Sequence, residues 1–169
     1  MKTLFECTVR YSKAMEGTDT QKRVNEVYLF DALTYTEAEK LAYERLQEVI
    51  STEFQVTGIR KARYAEVLPN EVGGYWYKVK TQFICVDENN GKEKRVSQMV
   101  LTLAENIKDA IERTEKEMGD TPDFMVKAVN ESPILDFFPY MSREEVPADR
   151  EVGRRPATPD ELERAKNQK

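Results

Sequence analysis

One tripeptide stands at two places in the chain, Lys22-Arg23-Val24 and Lys94-Arg95-Val96, at a spacing of 72 (94 − 22). The same spacing, without gaps, sets Phe5 on Tyr77, Cys7 on Val79, Tyr11 on Phe83, Val27 on Met99, Leu29 on Leu101, Ala32 on Ala104 and Ala38 on Ala110. Few of these pairs are identical, but the apolar pattern is kept. Near the end of each copy Glu66-Val67-Leu68-Pro69 meets Asp136-Phe137-Phe138-Pro139 at a spacing of 70 (136 − 66), so the second copy is slightly shorter. The pattern is read as a tandem duplication.

Each copy has the same internal grammar. Phe5, Cys7, Val9 and Tyr11 alternate with Glu6, Thr8, Arg10 and Ser12, the period of a half-buried strand. The polar stretch Glu16-Gly17-Thr18-Asp19 turns the chain into a second strand, Val24 to Phe30. In the second copy the strands run Tyr77 to Val86 and Val96 to Leu103, joined through Asn90-Gly91, two residues that tolerate positive φ. A helix follows each hairpin. Thr34-Tyr35-Thr36-Glu37 fits a capping box, and Asn106 caps the second helix, which Gly119 ends. The helices are expected to pack on one sheet face through Leu41, Leu46, Val49, Ile111 and Met118. A third strand closes each unit, from Phe54 to about Val67 and from Phe124 to about Phe137, with Gly58 and Pro133 marking a bulge or an edge.

The expected fold is therefore α+β: two β-β-α-β units with antiparallel sheet and helices on one face, about six strands in all. The units cover 1–69 and 75–140, with a linker at 70–74 made flexible by Gly73-Gly74. Residues 141–169 carry seven Lys or Arg and seven Asp or Glu, with three prolines and few apolar anchors. They read as a charged flexible tail in which Thr158-Pro159-Asp160-Glu161 can start a short helix reaching about Asn167.

Phe5-Glu6-Cys7 with Val9-Arg10-Tyr11, Tyr28-Leu29 with Asp31-Ala32-Leu33, Thr36-Glu37-Ala38-Glu39, Trp76-Tyr77-Lys78 with Lys80, and the closing Phe138-Pro139-Tyr140 together resemble the domain-of-unknown-function family numbered 4494. The resemblance spans about residues 4–140. Its motifs are strand and cap residues and carry no chemistry. It implies a bacterial or phage cytoplasmic context, and it transfers no catalytic residue.

Composition narrows the chemistry. The 169 residues contain no histidine, which removes the commonest general base and metal ligand. Cys7 and Cys85, the only cysteines, lie in strand-like runs without metal-ligand spacing and are expected as buried reduced thiols. Carboxylates on the helices (Glu37, Glu44, Glu48; Glu112, Glu115, Glu117) read as solvated faces, and no glycine-rich phosphate loop is present. No catalytic, cofactor or metal site is expected, and the protein is read as non-enzymatic. The opening Met1-Lys2-Thr3-Leu4-Phe5-Glu6 meets charge too early for a signal peptide, and no run approaches the roughly 18 apolar residues of a spanning helix. A cytoplasmic location is expected, away from membranes.

The net charge of −5 gives no global field for nucleic acid. The expected function is an accessory protein that binds a protein partner or itself through an open sheet face. Candidate residues on that face are Arg10, Tyr28, Phe30, Arg60, Arg63, Trp76, Lys78 and Lys80. The alternative is nucleic-acid binding, with Tyr28 and Phe30 stacking bases and the cations neutralising phosphates, while Trp76 is expected as a core or edge packing residue or, if exposed, as an anchor for a partner. Lys22-Arg23 and Lys94-Arg95 could clamp phosphates as a matched pair, although charges that keep edge strands from aggregating are the plainer explanation.

Overall fold

The structure, a computed structural model, describes residues 3–141. The tail helix expected near the end of the chain lies outside them. Residues up to Pro139 form one compact unit. The elements run β1 (Thr3–Ala14), β2 (Gln21–Ala32), α1 (Tyr35–Leu46), β3 (Phe54–Ala62), β4 (Glu66–Leu68), β5 (Tyr75–Val86), β6 (Glu93–Ala104), α2 (Ile107–Met118), β7 (Met125–Glu131) and β8 (Ile134–Phe138). The fold is α+β and dominated by two four-stranded sheets, ordered β3-β1-β2-β8 and β4-β6-β5-β7.

The two sheets share one register. Phe5 faces Phe30 and Tyr77 faces Thr102, and each pair in β1–β2 recurs in β5–β6 at the spacing of the sequence repeat. The bulge expected near Gly58 sits where β3 slips between Thr8 and Val9 of β1, and β7 slips at the equivalent place, between Lys80 and Thr81 of β5.

The hairpin at Asn90-Gly91 forms, but only Gly91 takes positive φ. The tip is a wider loop closed by Asp87 N–H on the Lys92 carbonyl, as Met15 N–H on Thr20 closes the first. Both helices begin with the expected caps: Thr34 Oγ1 accepts from Glu37 N–H and Asn106 Oδ1 from Asp109 N–H. Glu37 reaches back one residue further than a standard capping box, to Leu33 N–H.

The long third strand expected in each unit is broken in two, so there are eight strands rather than about six, and the pieces belong to different sheets. β4 pairs parallel with β6, and β8 pairs parallel with β2. The register again matches: Glu66 faces Val100 and Asp136 faces Tyr28. Segments 1–69 and 75–140 are therefore not separate sheets, since each gives its last strand to the other. A β-strand has two faces, and both faces of these short strands carry apolar residues. Leu68 joins the cluster of α2 with the second sheet and Val67 joins the cluster between the sheets. Phe138 stacks on Phe30 at 4.8 Å in the α1 cluster, while Phe137 meets Trp76 edge-on in the central one.

Three clusters thus order the molecule. In the first, Ala38, Ala42 and Leu46 of α1 lie with Phe5, Cys7, Val9, Tyr28 and Phe30. In the second, Leu4 and Leu29 of one sheet meet Trp76 and Leu101 of the other. The third sets Ala110 of α2 with Tyr77, Val79 and Val100. The sheet face opposite the helices, expected open, is covered at this end by the other sheet. Val49, expected in a helix stripe, is exposed past the end of α1. Cys85 is exposed rather than buried. Buried Cys7 has its thiol pushed up to about 12, by burial and then by the charge of Glu39.

Where the first half places Phe30 and Ala42, the second places Thr102 and Thr114. The two hydroxyls are 2.8 Å apart and Thr114 donates onward to the Ala110 carbonyl. A hydrogen-bonded pair here replaces an aromatic ring.

Two outcomes follow from this packing. Residues 1–72 and 73–169 made as separate chains should each fail to show a cooperative thermal transition by circular dichroism. Mixed, they should recover one as a 1:1 complex on size exclusion. Thr114→Ala strands the Thr102 hydroxyl in the core and should cost about 1–3 kcal/mol in urea unfolding.

Candidate functional site

Register decides which residues share a face, because cross-strand partners project to the same side. On the side of β1 and β2 that carries Leu4 and Leu29 stand Glu6, Thr8, Arg10 and Ser12, opposite Leu29, Val27, Asn25 and Arg23. On the matching side of β5 and β6 stand Trp76, Lys78, Lys80, Gln82 and Ile84, opposite Leu103, Leu101, Met99, Ser97 and Arg95. Arg60 of β3 joins them opposite Glu6. The paired strands of these faces carry six cations (Arg10, Arg23, Arg60, Lys78, Lys80, Arg95) against three carboxylates: Glu6, buried Asp31 and, at a hairpin tip, Glu93. A chain with net charge −5 has therefore gathered positive charge where its two sheets part.

The centre of this region is a shallow cleft of about 280 Å³ lined by Glu6, Arg60, Arg63, Tyr64, Lys78 and Met99, among others. Glu6 is buried although it is a carboxylate. Arg60 holds it with Nε at 2.7 Å and Nη2 at 2.6 Å, both on Oε2, and the Tyr64 hydroxyl donates to Oε1 at 3.1 Å. A buried carboxylate is tolerable only when paired and hydrogen-bonded in this way. The same bonds raise the Arg60 pKa, chiefly through the hydrogen bond to Glu6, so the guanidinium stays charged. Tyr64 is pushed above the ordinary phenol range by burial, then by the charge and hydrogen bond of Glu6.

The Arg60 side chain remains 74% exposed while that of Glu6 is only 8% exposed. Glu6 therefore acts as an anchor from beneath. It takes up Nε–H and one Nη2 proton and leaves the other guanidinium donors facing solvent beside Arg63 and Lys78. Fixed, forked and charged, such a group is suited to an oxyanion, above all a carboxylate.

Three expected site residues, Arg60, Arg63 and Lys78, meet in this cleft. Arg10 and Lys80 lie further along the same faces and are exposed. The aromatic residues do not join them. Tyr28 and Phe30 are 3% and 0% exposed on the helix side, and Trp76 is 4% exposed between the sheets. Val27, Tyr28, Leu29 and Phe30 form a run apolar on both sides, so alternation could not say which pair faced the helix. The pairing of Phe5 with Phe30 and of Cys7 with Tyr28 does. Tyr28 also has a structural duty there. Its hydroxyl and that of Tyr11 donate to the two oxygens of Glu26 at 2.9 and 2.8 Å. Burial, followed by that contact, raises the Tyr11 phenol to about 12.

Sequence reasoning missed Glu6 and Tyr64. The one available signal was a glutamate inside an otherwise apolar strand start, Leu4-Phe5-Glu6-Cys7. Among the described residues no group of His, Cys, Asp or Glu is arranged to hold a metal ion, and no helix is long and apolar enough to cross a membrane.

No curated protein and no solved structure matches this chain. A family of sequences does: the one described as "Domain of unknown function (DUF4494)" matches residues 3–140, which is most of the chain and all of the two-sheet fold, and the protein belongs to that family.

Proposed function

We propose that the protein is a non-enzymatic binding module, grown by duplication of one β-β-α-β unit, whose inter-sheet cleft takes an acidic segment of a protein partner. The observation that carries this reading is the Arg60 guanidinium, anchored by buried Glu6 and presented to solvent with Arg63 and Lys78. Against a catalytic role stands the state of the one carboxylate in that cleft. Both oxygens of Glu6 are occupied, by Arg60 and by Tyr64, so it is a poor general base. The family resemblance adds a bacterial or phage cytoplasm as the setting.

Nucleic acid is the competing ligand for a basic surface. Base stacking needs exposed aromatic rings, and the two aromatics assigned to that task, Tyr28 and Phe30, are buried in the core. Of the residues assigned to nucleic acid only the cations remain at the surface, on a protein whose net charge is −5.

Fluorescence anisotropy separates the two ligands. A labelled acidic peptide should bind, and Arg60→Ala or Lys78→Glu should weaken it by about two- to fivefold or more per charge, the range of an exposed ion pair. Single- and double-stranded oligonucleotides should bind more weakly at equal ionic strength. Oligonucleotide binding that exceeds the peptide's and falls steeply with salt would overturn the reading. Arg60→Ala should also cost about 1 kcal/mol of stability, because it leaves Glu6 with Tyr64 alone, and Glu6→Gln in the Arg60→Ala background should restore part of it.

A further inference from the structure

The repeated Lys-Arg-Val motif is not absorbed by the central cleft. Arg23 lines a second cleft, of about 540 Å³, with Arg10, Ser12, Glu53 and Gln55, beside Tyr11 and Phe54, which pack against the α1 cluster on the other face. Arg95, its counterpart in the second copy, lines a third of about 360 Å³, with Gln82, Asp123 and Lys127 over Ile84, Phe124 and Met125. These two clefts occupy the same place in each half. Arg23 faces Ser12 across its hairpin, and Arg95 faces Ile84. Each cleft holds two cations and one carboxylate, the second cation coming from Arg10 of β1 in one and from Lys127 of β7 in the other. Arg10 is steadied by its Nε–H on Asn25 Oδ1 at 3.1 Å. Arg23, Arg95 and Lys127 have no ion pair with a carboxylate among the described residues.

We propose that these clefts are a matched pair of subsites for the carboxylate side chains of an acidic protein segment. The charge set argues for that chemistry over a phosphate chain. Two cations meet one carboxylate of the ligand, while Glu53 or Asp123 accepts a neighbouring peptide N–H. A phosphodiester offers no such donor beside its charge, and the resident carboxylate repels it. In the third cleft Ile84 and Met125 take the methylene groups of the acidic side chain. Two equivalent subsites on one chain make binding bivalent, so a segment long enough to reach both gains affinity without new contacts. The proposal rests on the acidic-partner reading, and it concerns residues separate from the Arg60 cleft.

The test uses the full-length protein and follows the Nε–H signals of its arginines by NMR. The probes are an N-acetylated, C-amidated triglutamate peptide and, separately, inorganic phosphate, each at constant ionic strength. The peptide should shift Arg23 and Arg95 in two saturable events of similar affinity in the range of about 1–10 mM. Arg23→Gln should abolish only the first and Arg95→Gln only the second. Glu53→Ala should weaken the peptide and strengthen phosphate at the first cleft. Saturation by phosphate but not peptide, or no saturable shift at either arginine, overturns the paired subsites. A peptide shift at Arg60 alone sinks this proposal and leaves the central cleft standing. Shifts at Arg23 and Arg95 without Arg60 do the reverse.

Discussion

The exchange of the two shortest strands holds this structure together. Short β4 and β8 each leave the half that precedes them and add a parallel strand to the sheet of the other. Parallel pairing is unusual beside a hairpin, because it needs a long connection. Here β5 with its flanking loops connects β4 to β6, and all the elements from α1 to β7 connect β2 to β8. The closure of such long loops is entropically costly and is recovered only when both faces of the incoming strand are buried. Leu68 with Val67, and Phe138 with Phe137, provide that burial in pairs. The halves are thus mutually dependent, and the cleft exists only because the exchange sets one sheet against the other.

Within that frame the halves are alike in backbone and unlike in side chains. Thr102 and Thr114 stand where Phe30 and Ala42 stand, and Thr81 where Val9 stands. A core can lose apolar volume in this way only if every hydroxyl introduced finds a partner. None of the buried side-chain polar atoms among the described residues is left without one. The second half is held more by hydrogen bonds and less by bulk than the first.

Local features of this design were legible in the sequence. Alternation marked β1 and β5, the caps marked α1 and α2, and the repeat placed every element of one half on its counterpart. Gly58 announced its bulge. The exchange was not legible, because Phe54 to Val67 reads as one strand. Nothing local says that the chain bends after Ala62 and changes sheet. The face of β2 was hidden for a related reason: Val27, Tyr28, Leu29 and Phe30 are all buried or half-buried, so no polar residue betrays an outer side. The cations of the site were found because charge on a strand is exceptional. Their anchor was missed because Glu6 and Arg60 lie on different strands, far apart in sequence, and only the pairing of β1 with β3 brings them together.

The asymmetry of the cleft follows from a single position. Glu6 and Lys78 are counterparts in the sequence repeat, and both line the same cleft. Across from Glu6 the third strand supplies Arg60; across from Lys78 it supplies Asn130. The first half therefore neutralises its buried charge internally, as desolvation demands. The second half leaves a half-buried ammonium without a carboxylate partner among the described residues. One half builds the anchored guanidinium and the other contributes an unpaired cation next to it. The difference at one strand position, Glu6 against Lys78, gives two sheets of matching register a surface with a defined charge and a defined direction.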